Sequence, residues 1–222
     1  MRPHIICYMM TSVDGRIDCG MTAQLPGTDE YYQILDELDM PTTLSGRHTA
    51  ELEMSLPGKF TLGDSAPLGK EDFSKKTDAP GYEVVVDTKG TLLWEKQTDA
   101  EKPLLIITST AVSKEYLKYL DGQNISWIAT GKETIDLSRA VEILAEQFGV
   151  TRMGVVGGPA INTGFLNTGL LDEVVVLIGP GIDGRVEYPS VFEGREEPKP
   201  LLLKCEYVKL LDNGAVLIGY TL

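Results

Sequence analysis

Val155-Val156-Gly157-Gly158-Pro159-Ala160-Ile161-Asn162 joins an apolar strand, Met153 to Val156, to a helix opening on Pro159, where a missing N–H costs nothing. Paired glycines let a backbone approach a ligand with no Cβ in the way, and the free N–H groups of a new helix favour a phosphate. A dinucleotide pyrophosphate would fit there; a tight turn holding nothing has the same signature. Gly46-Arg47-His48-Thr49 follows the strand Thr42 to Ser45 and precedes a brief helical piece, Ala50 to Met54. Its guanidinium can take a phosphate bidentately and Thr49 can add a hydroxyl, although a lone arginine is more often a surface charge. The third constellation is Thr11-Ser12-Val13-Asp14-Gly15-Arg16-Ile17-Asp18. A polar loop after a buried strand is where open α/β sheets place ligands, so Asp14 and Arg16 are candidate site residues; the dipeptide Asp14-Gly15 taken alone favours a plain turn pair.

Composition narrows the partners. The 222 residues carry 20 basic and 33 acidic side chains, a net charge of −13, which argues against a broad footprint for nucleic acid or an anionic membrane. A phosphorylated ligand would then need a local basic site. Three scattered cysteines without a Cys-x-x-Cys indicate neither a disulfide framework nor a zinc centre and fit a reduced cytoplasm. Two histidines leave no material for histidine-rich metal sites, so no metal is expected. No apolar window reaches the length of a membrane span, and Ile5 to Met10 is too short for a signal segment.

The elements that must position these residues follow from periodicity. Ile5 to Met10 reads as a strand buried on both faces. Thr28 is the expected N-cap of a helix with Asp29 and Glu30 in its first turn and Tyr31, Ile34, Leu35 and Leu38 on one face. Ser55 to Gly81 reads as a long loop. Strands follow at Tyr82 to Val86, Leu104 to Ile107 and Ile125 to Ala129, with helices at Val112 to Leu120 and after Asp136, and Val174 to Ile178 is a further buried strand. Gly179 to Pro200 is irregular. Cys205 to Leu211 and Ala215 to Thr221 flank Asp212-Asn213-Gly214 as a hairpin. This order predicts one α/β domain over 1–222, a mostly parallel sheet with an antiparallel C-terminal edge, covered on both faces.

Taken together, the motifs resemble the dihydrofolate-reductase-like superfamily, and most closely the reductase domain of riboflavin biosynthesis, the diaminohydroxyphosphoribosylaminopyrimidine reductase type. Thr11 to Ile17 is similar to that domain's Ser-Leu-Asp-Gly-Arg/Lys motif, and Val84-Val85-Val86-Asp87-Thr88 to its Val-Val-Leu-Asp-Ser strand end. Gly157-Gly158-Pro159 with Phe165 to Glu173 resembles its Glu-Gly-Gly…Gly-Leu-Val-Asp-Glu block, and Gly179 to Gly184 its Pro-x-Leu/Ile-x-Gly-Gly loop. Gly46-Arg47-His48-Thr49 is closer to the Gly-Arg-x-Thr of dihydrofolate reductases proper.

The resemblance implies a three-layer α/β/α fold and a cytoplasmic, homodimeric, NADPH-dependent reductase of a small heterocycle. It assigns Gly157, Gly158, Pro159, Ala160 and Ile161 to the pyrophosphate, with Gly46, Arg47 and Thr49 at the other helix start. It also assigns Thr88 to the adenosine 2′-phosphate, with Lys89 adding charge, and Asp14 and Arg16 to the nicotinamide and substrate. Hydride transfer to a C=N or C=O carbon needs orientation and a proton, which a partly shielded carboxyl could supply. Asp29, near where dihydrofolate reductases place their acid, is the first candidate, with Asp14 the alternative. Two departures bear on substrate: Val156 replaces the family's ribose-binding glutamate, and the Asp-x-Pro-x-Leu-x-x-Arg segment is absent. The alternatives are a reductase of a pterin-like or other heterocycle, a non-catalytic NADP-binding or interaction protein and, behind these, a flavin- or folate-binding carrier.

Overall fold

The computed structural model describes residues 2–61, 66–195 and 199–222. In chain order the elements are β1 (His4–Thr11), α1 (Cys19–Thr22), α2 (Thr28–Glu37), β2 (Thr42–Gly46), α3 (Arg47–Glu53), β3 (Asp72–Ser74), β4 (Glu83–Val86) and β5 (Leu104–Thr108). Then come α4 (Lys114–Gly122), β6 (Ser126–Ala129), α5 (Leu137–Phe148), β7 (Arg152–Gly157), α6 (Pro159–Asn167), β8 (Glu173–Ile178), β9 (Lys204–Leu210) and β10 (Val216–Thr221). The chain divides into two compact units, one built on Pro41–Met153 and the other on His4–Met40 with Gly154–Leu222.

In the first unit the strands run β3-β6-β5-β4-β2. β2, β4, β5 and β6 are mutually parallel, and β3 closes the edge antiparallel to β6. Parallel strands need both faces covered, which is why Val84, Val85, Leu105, Ile106 and Ile107 read as continuous apolar runs and are buried. Val85, Ile106 and Trp127 pack with Tyr116, Leu117 and Leu120 of α4. In the second unit the order is β7-β1-β8-β10-β9. β1 and β8 are parallel, and β10 lies antiparallel between β8 and β9. Its core gathers Ile6, Tyr8 and Met10 with Val175, Leu177 and Ile34, and Tyr31, Leu35 and Leu38 lie against it on the α2 face that the spacing predicts. The expected mixed α/β pattern of mainly parallel strands with antiparallel C-terminal strands is therefore present. No helix among the described residues is long and apolar enough to cross a membrane.

Four local expectations are corrected. Gly27, at φ 111°, precedes α2 in place of the expected Thr28 cap. The Thr28 hydroxyl instead donates backwards to Leu25 O and Thr22 O at 2.9 and 3.1 Å, so it is not turned toward the helix N–H groups. α3 begins at Arg47 rather than Ala50, because Gly46 in an extended conformation starts it directly, and this puts Arg47 and Thr49 inside its first turn. α4 starts two residues later than predicted, where Ser113 Oγ accepts the Tyr116 N–H. Ser55 to Gly81 contains β3, a three-residue strand too short for alternation to reveal; residues 62–65 of that segment, like 196–198 of the irregular stretch, lie outside the described residues.

Candidate functional site

The parallel register fixes what the first unit presents at its carboxyl edge. Gly46 pairs with Val86, Val86 with Ile107, and Thr108 with Ala129. Arg47, the Asp87-Thr88-Lys89 turn, Ser109 and Thr130 therefore leave one edge together. Asp87 is fully buried and its carboxylate shapes the turn, accepting Thr91 N at 2.6 Å, Leu92 N at 2.9 Å and Thr91 Oγ1 at 3.3 Å. Three donors converge on the Thr88 carbonyl: Ser109 N at 3.1 Å, and Thr108 Oγ1 and Ser109 Oγ at 3.0 Å each. The backbone of Thr88 is thus pinned, while its own hydroxyl has no hydrogen-bond partner among the described residues. Lys89 beside it is exposed. Arg47 is exposed too and donates to Glu51 Oε2 at 2.7 Å, an i,i+4 surface pair that contributes little and can be exchanged for a stronger anion.

In the second unit Thr11 pairs with Ile178, so the loops after β1 and β8 leave side by side. Asp14 ties them together. Its Oδ1 accepts from Ser12 Oγ at 2.7 Å and from Asp183 N at 2.9 Å, and its Oδ2 accepts from Gly184 N at 2.9 Å. These donors, Ser12 foremost, hold its carboxyl below the usual carboxylate range. Asp183 grips Arg185, whose Nη2 reaches Asp183 Oδ2 at 2.8 Å and Asp18 Oδ2 at 2.6 Å; the same guanidinium lies 3.6 Å from the centroid of the Tyr188 ring. Arg16 is half-buried and donates through Nη1 to Tyr188 O, while its Nε is buried without an acceptor among the described residues. Asp29 stands exposed on the first turn of α2 and is not shielded from water in this chain.

At the end of β7, Gly158 precedes α6 and Pro159 opens it, as the sequence predicts. Among the described residues no side chain caps this helix, and no carboxylate occupies its first turn, in contrast to α2, which carries Asp29 and Glu30 there. Gly158 and Pro159 are half-buried and Ala160 is exposed. A helix start left uncapped, uncharged and open to solvent fits a pyrophosphate, because the anion would satisfy N–H groups that nothing else does.

Residues 3–217 match the RibD C-terminal domain family. The chain belongs to that family. It is an oxidoreductase family of riboflavin biosynthesis, and this RibD-type chain is accordingly a redox enzyme. Across 95% of its length it is 26% identical to the 2,5-diamino-6-ribosylamino-4(3H)-pyrimidinone 5′-phosphate reductase of Archaeoglobus fulgidus, covering 93% of that protein. Its fold is similar to a pyrimidine reductase-like protein from Corynebacterium diphtheriae, with a TM-score of 0.72 at 18% identity, over 99% of this chain and 91% of that one. It is also similar to the Saccharomyces cerevisiae riboflavin biosynthesis reductase Rib7, with a TM-score of 0.62 at 16% identity, over 99% and 90% of the two chains.

Within the RibD-type chain, the residues singled out in the sequence fall into two groups. Gly46, Arg47, Thr49 and Thr88 lie in the first unit; Asp14, Arg16, Asp29 and Gly157 to Ile161 lie in the second. Sequence reasoning missed Arg185, Tyr188, Thr163 and Glu193, which build the loop around Arg16. Asp183-Gly184-Arg185 carried a faint signal, as a charged turn directly after a buried strand.

Proposed function

We propose that this protein is an NADPH-dependent reductase of a phosphoribosylamino-pyrimidine, acting at the reduction step of riboflavin synthesis as a cytoplasmic homodimer with the whole chain as its catalytic domain. The observation that carries the reading is the family match over residues 3–217, joined to an uncapped, carboxylate-free start of α6 at Gly158-Pro159.

In this reading Gly157, Gly158, Pro159, Ala160 and Ile161 hold the pyrophosphate. The Thr88 hydroxyl, with Arg47 and Lys89, takes the 2′-phosphate, and Gly46 and Thr49 allow α3 to start close to it. The cofactor supplies hydride when bound. Arg16 orients the substrate through its guanidinium, a group that suits a carbonyl or oxyanion. Asp14 keeps the loop under Arg16 in shape. Neither Asp14, ionised, nor Asp29, exposed, is placed as a shielded acid, so the proton comes from solvent. Val156 at the end of β7 offers no hydroxyl acceptor, and this favours the second reading, a heterocycle without the ribose contact.

Binding and turnover test it separately. NADPH should raise the melting temperature well above the effect of equimolar NADH, by mass action on the folded state. Thr88→Ala or Arg47→Ala should erase most of that preference. Loss of the reduced cofactor's near-ultraviolet absorbance with the diaminopyrimidinone phosphate, but not with a dihydropterin precursor, supports the named substrate; the reverse supports the second reading. If neither nucleotide shifts the melting temperature, the cofactor assignment is wrong.

A further inference from the structure

Arg16 leaves the end of β1 in a short loop, where Ser12 steadies its backbone locally: Arg16 N donates to Ser12 Oγ and Ser12 N to Arg16 O, both at 3.0 Å. A segment remote in sequence holds both the side chain, through Tyr188, and the backbone around it. Tyr188 O accepts from Arg16 Nη1, Ile17 N donates to Pro189 O at 3.1 Å, and Arg16 forms an isolated antiparallel bridge with Ser190. The far end of that segment is seated on α6. Asn162 Nδ2 donates to Val191 O at 2.8 Å, and Glu193 N donates to Thr163 Oγ1 at 2.9 Å. Between the two ends, Ser190 N donates to Glu193 Oε1 and Ser190 Oγ to Phe192 O, both at 2.9 Å, so the six residues form a self-braced strap. The stack of Arg185 on Tyr188 secures its leading end.

We propose that the strap of residues 188–193, anchored on α6 by Asn162 and Thr163, is the positioning device for Arg16. The inference rests on the reading of Arg16 as the residue that orients substrate. Two orphaned atoms point the same way. Arg16 Nε is a buried donor without an acceptor, and Asn162 Oδ1, on a fully buried residue, is an acceptor without a donor among the described residues. An unpaired buried polar atom is costly unless something that binds later satisfies it. The chemistry that pairs with the guanidinium is an oxygen acceptor, a ring carbonyl or a phosphate oxygen. Asn162 and Thr163 are therefore positioning residues, acting on substrate through Tyr188 and Ser190.

The test uses the full chain and two readouts. Hydrogen exchange at Arg16 Nε–H, assigned by loss of its resonance in Arg16→Lys, reports the strap without any ligand. Exchange should quicken about tenfold or more in Thr163→Val and Asn162→Ala and return to the wild-type rate in Thr163→Ser, which keeps the acceptor for Glu193 N. In steady state the pyrimidine KM should rise roughly tenfold in the same two variants, NADPH affinity should stay within about threefold, and Thr163→Val should add nothing to Arg16→Lys. Unchanged exchange in both folded variants, or effects that add to those of Arg16→Lys, would overturn the proposal. If the wild type turns over no pyrimidine, the reading of its function fails and exchange alone decides whether the strap holds Arg16. Should the α6 variants not fold, Ser190→Ala, which removes only the strap's own bond to Phe192 O, takes their place in the exchange measurement: quickened exchange supports the strap, and an unchanged rate overturns it.

Discussion

Asp14 shows how far a single side chain can be read in advance. Its place after a buried strand marks it as a site residue, but sequence cannot say whether the carboxyl meets substrate or backbone, because the deciding donors, Asp183 N and Gly184 N, lie 169 and 170 residues away. The contacts make it the clasp of two loops. Its folded pKa is below the unfolded value, so its hold is complete above about pH 4 and is lost only as the pH falls through the lowered folded value. Limited proteolysis of the 179–188 loop should therefore be flat from about pH 5 to 8 and rise only in stronger acid. Asp14→Asn, whose amide cannot accept all three bonds, should be nicked faster throughout and should lose roughly ten- to a hundredfold in kcat/KM, because Arg16 would be misplaced. A wild-type transition near about pH 4 that Asp14→Asn abolishes would mean that the carboxyl titrates in its ordinary range. Asp29 makes the opposite point. Its nearness to Leu25-Pro26 suggests an acid, yet a helical first turn facing solvent is where the backbone puts it.

At the scale of elements, most of the fold is legible because burial on two faces leaves continuous apolar strands and burial on one leaves a helical stripe. What escapes is set by long-range pairing. β3 exists because Asp72 to Ser74 align with Trp127 to Ala129, not through any pattern of its own. The turn after β4 is a case where an element is held by one small residue. Gly90 sits at φ +67°, and an added Cβ would fall 2.3 Å from Cδ1 of the buried Tyr116 ring, itself bound through its hydroxyl to Leu92 O at 3.0 Å. Gly90→Ala should combine backbone strain with overpacking and destabilise the protein by about 2–4 kcal/mol. It should also weaken NADPH binding, because Asp87 to Thr91 would no longer present Thr88 in one conformation. Urea unfolding gives the first quantity and titration the second; a loss under about 1 kcal/mol would show that the turn and ring adjust freely.

The whole molecule raises a question that one chain's pattern leaves open, namely what covers β9. The hairpin is predictable from Asp212-Asn213-Gly214, but nothing in Cys205 to Leu211 indicates that every residue of β9 is exposed, as it is. Among the described strands only β10 pairs with it, and Val208 and Leu210, on one face, are 63% and 73% exposed, with Leu202 just before the strand at 86%. A free strand edge flanked by apolar side chains invites another strand, and a second copy of the chain answers symmetrically: an antiparallel β9–β9 pair across a twofold axis uses the same patch on both partners. The homodimer proposed above would pair most simply through this edge. Sedimentation at micromolar concentration should give a dimer for the wild type and a monomer for Val208→Glu with Leu210→Glu, whose carboxylates would face their own copies across the axis. Because the substituted side chains are exposed in the single chain, the monomer should unfold within about 0.5 kcal/mol of the wild type when compared at dilutions where both are monomeric. A variant that remains dimeric would move the interface to another surface. A wild type that sediments as a monomer would leave β9 as an edge guarded by Lys204 and Lys209, the residues natural sheets use against such pairing.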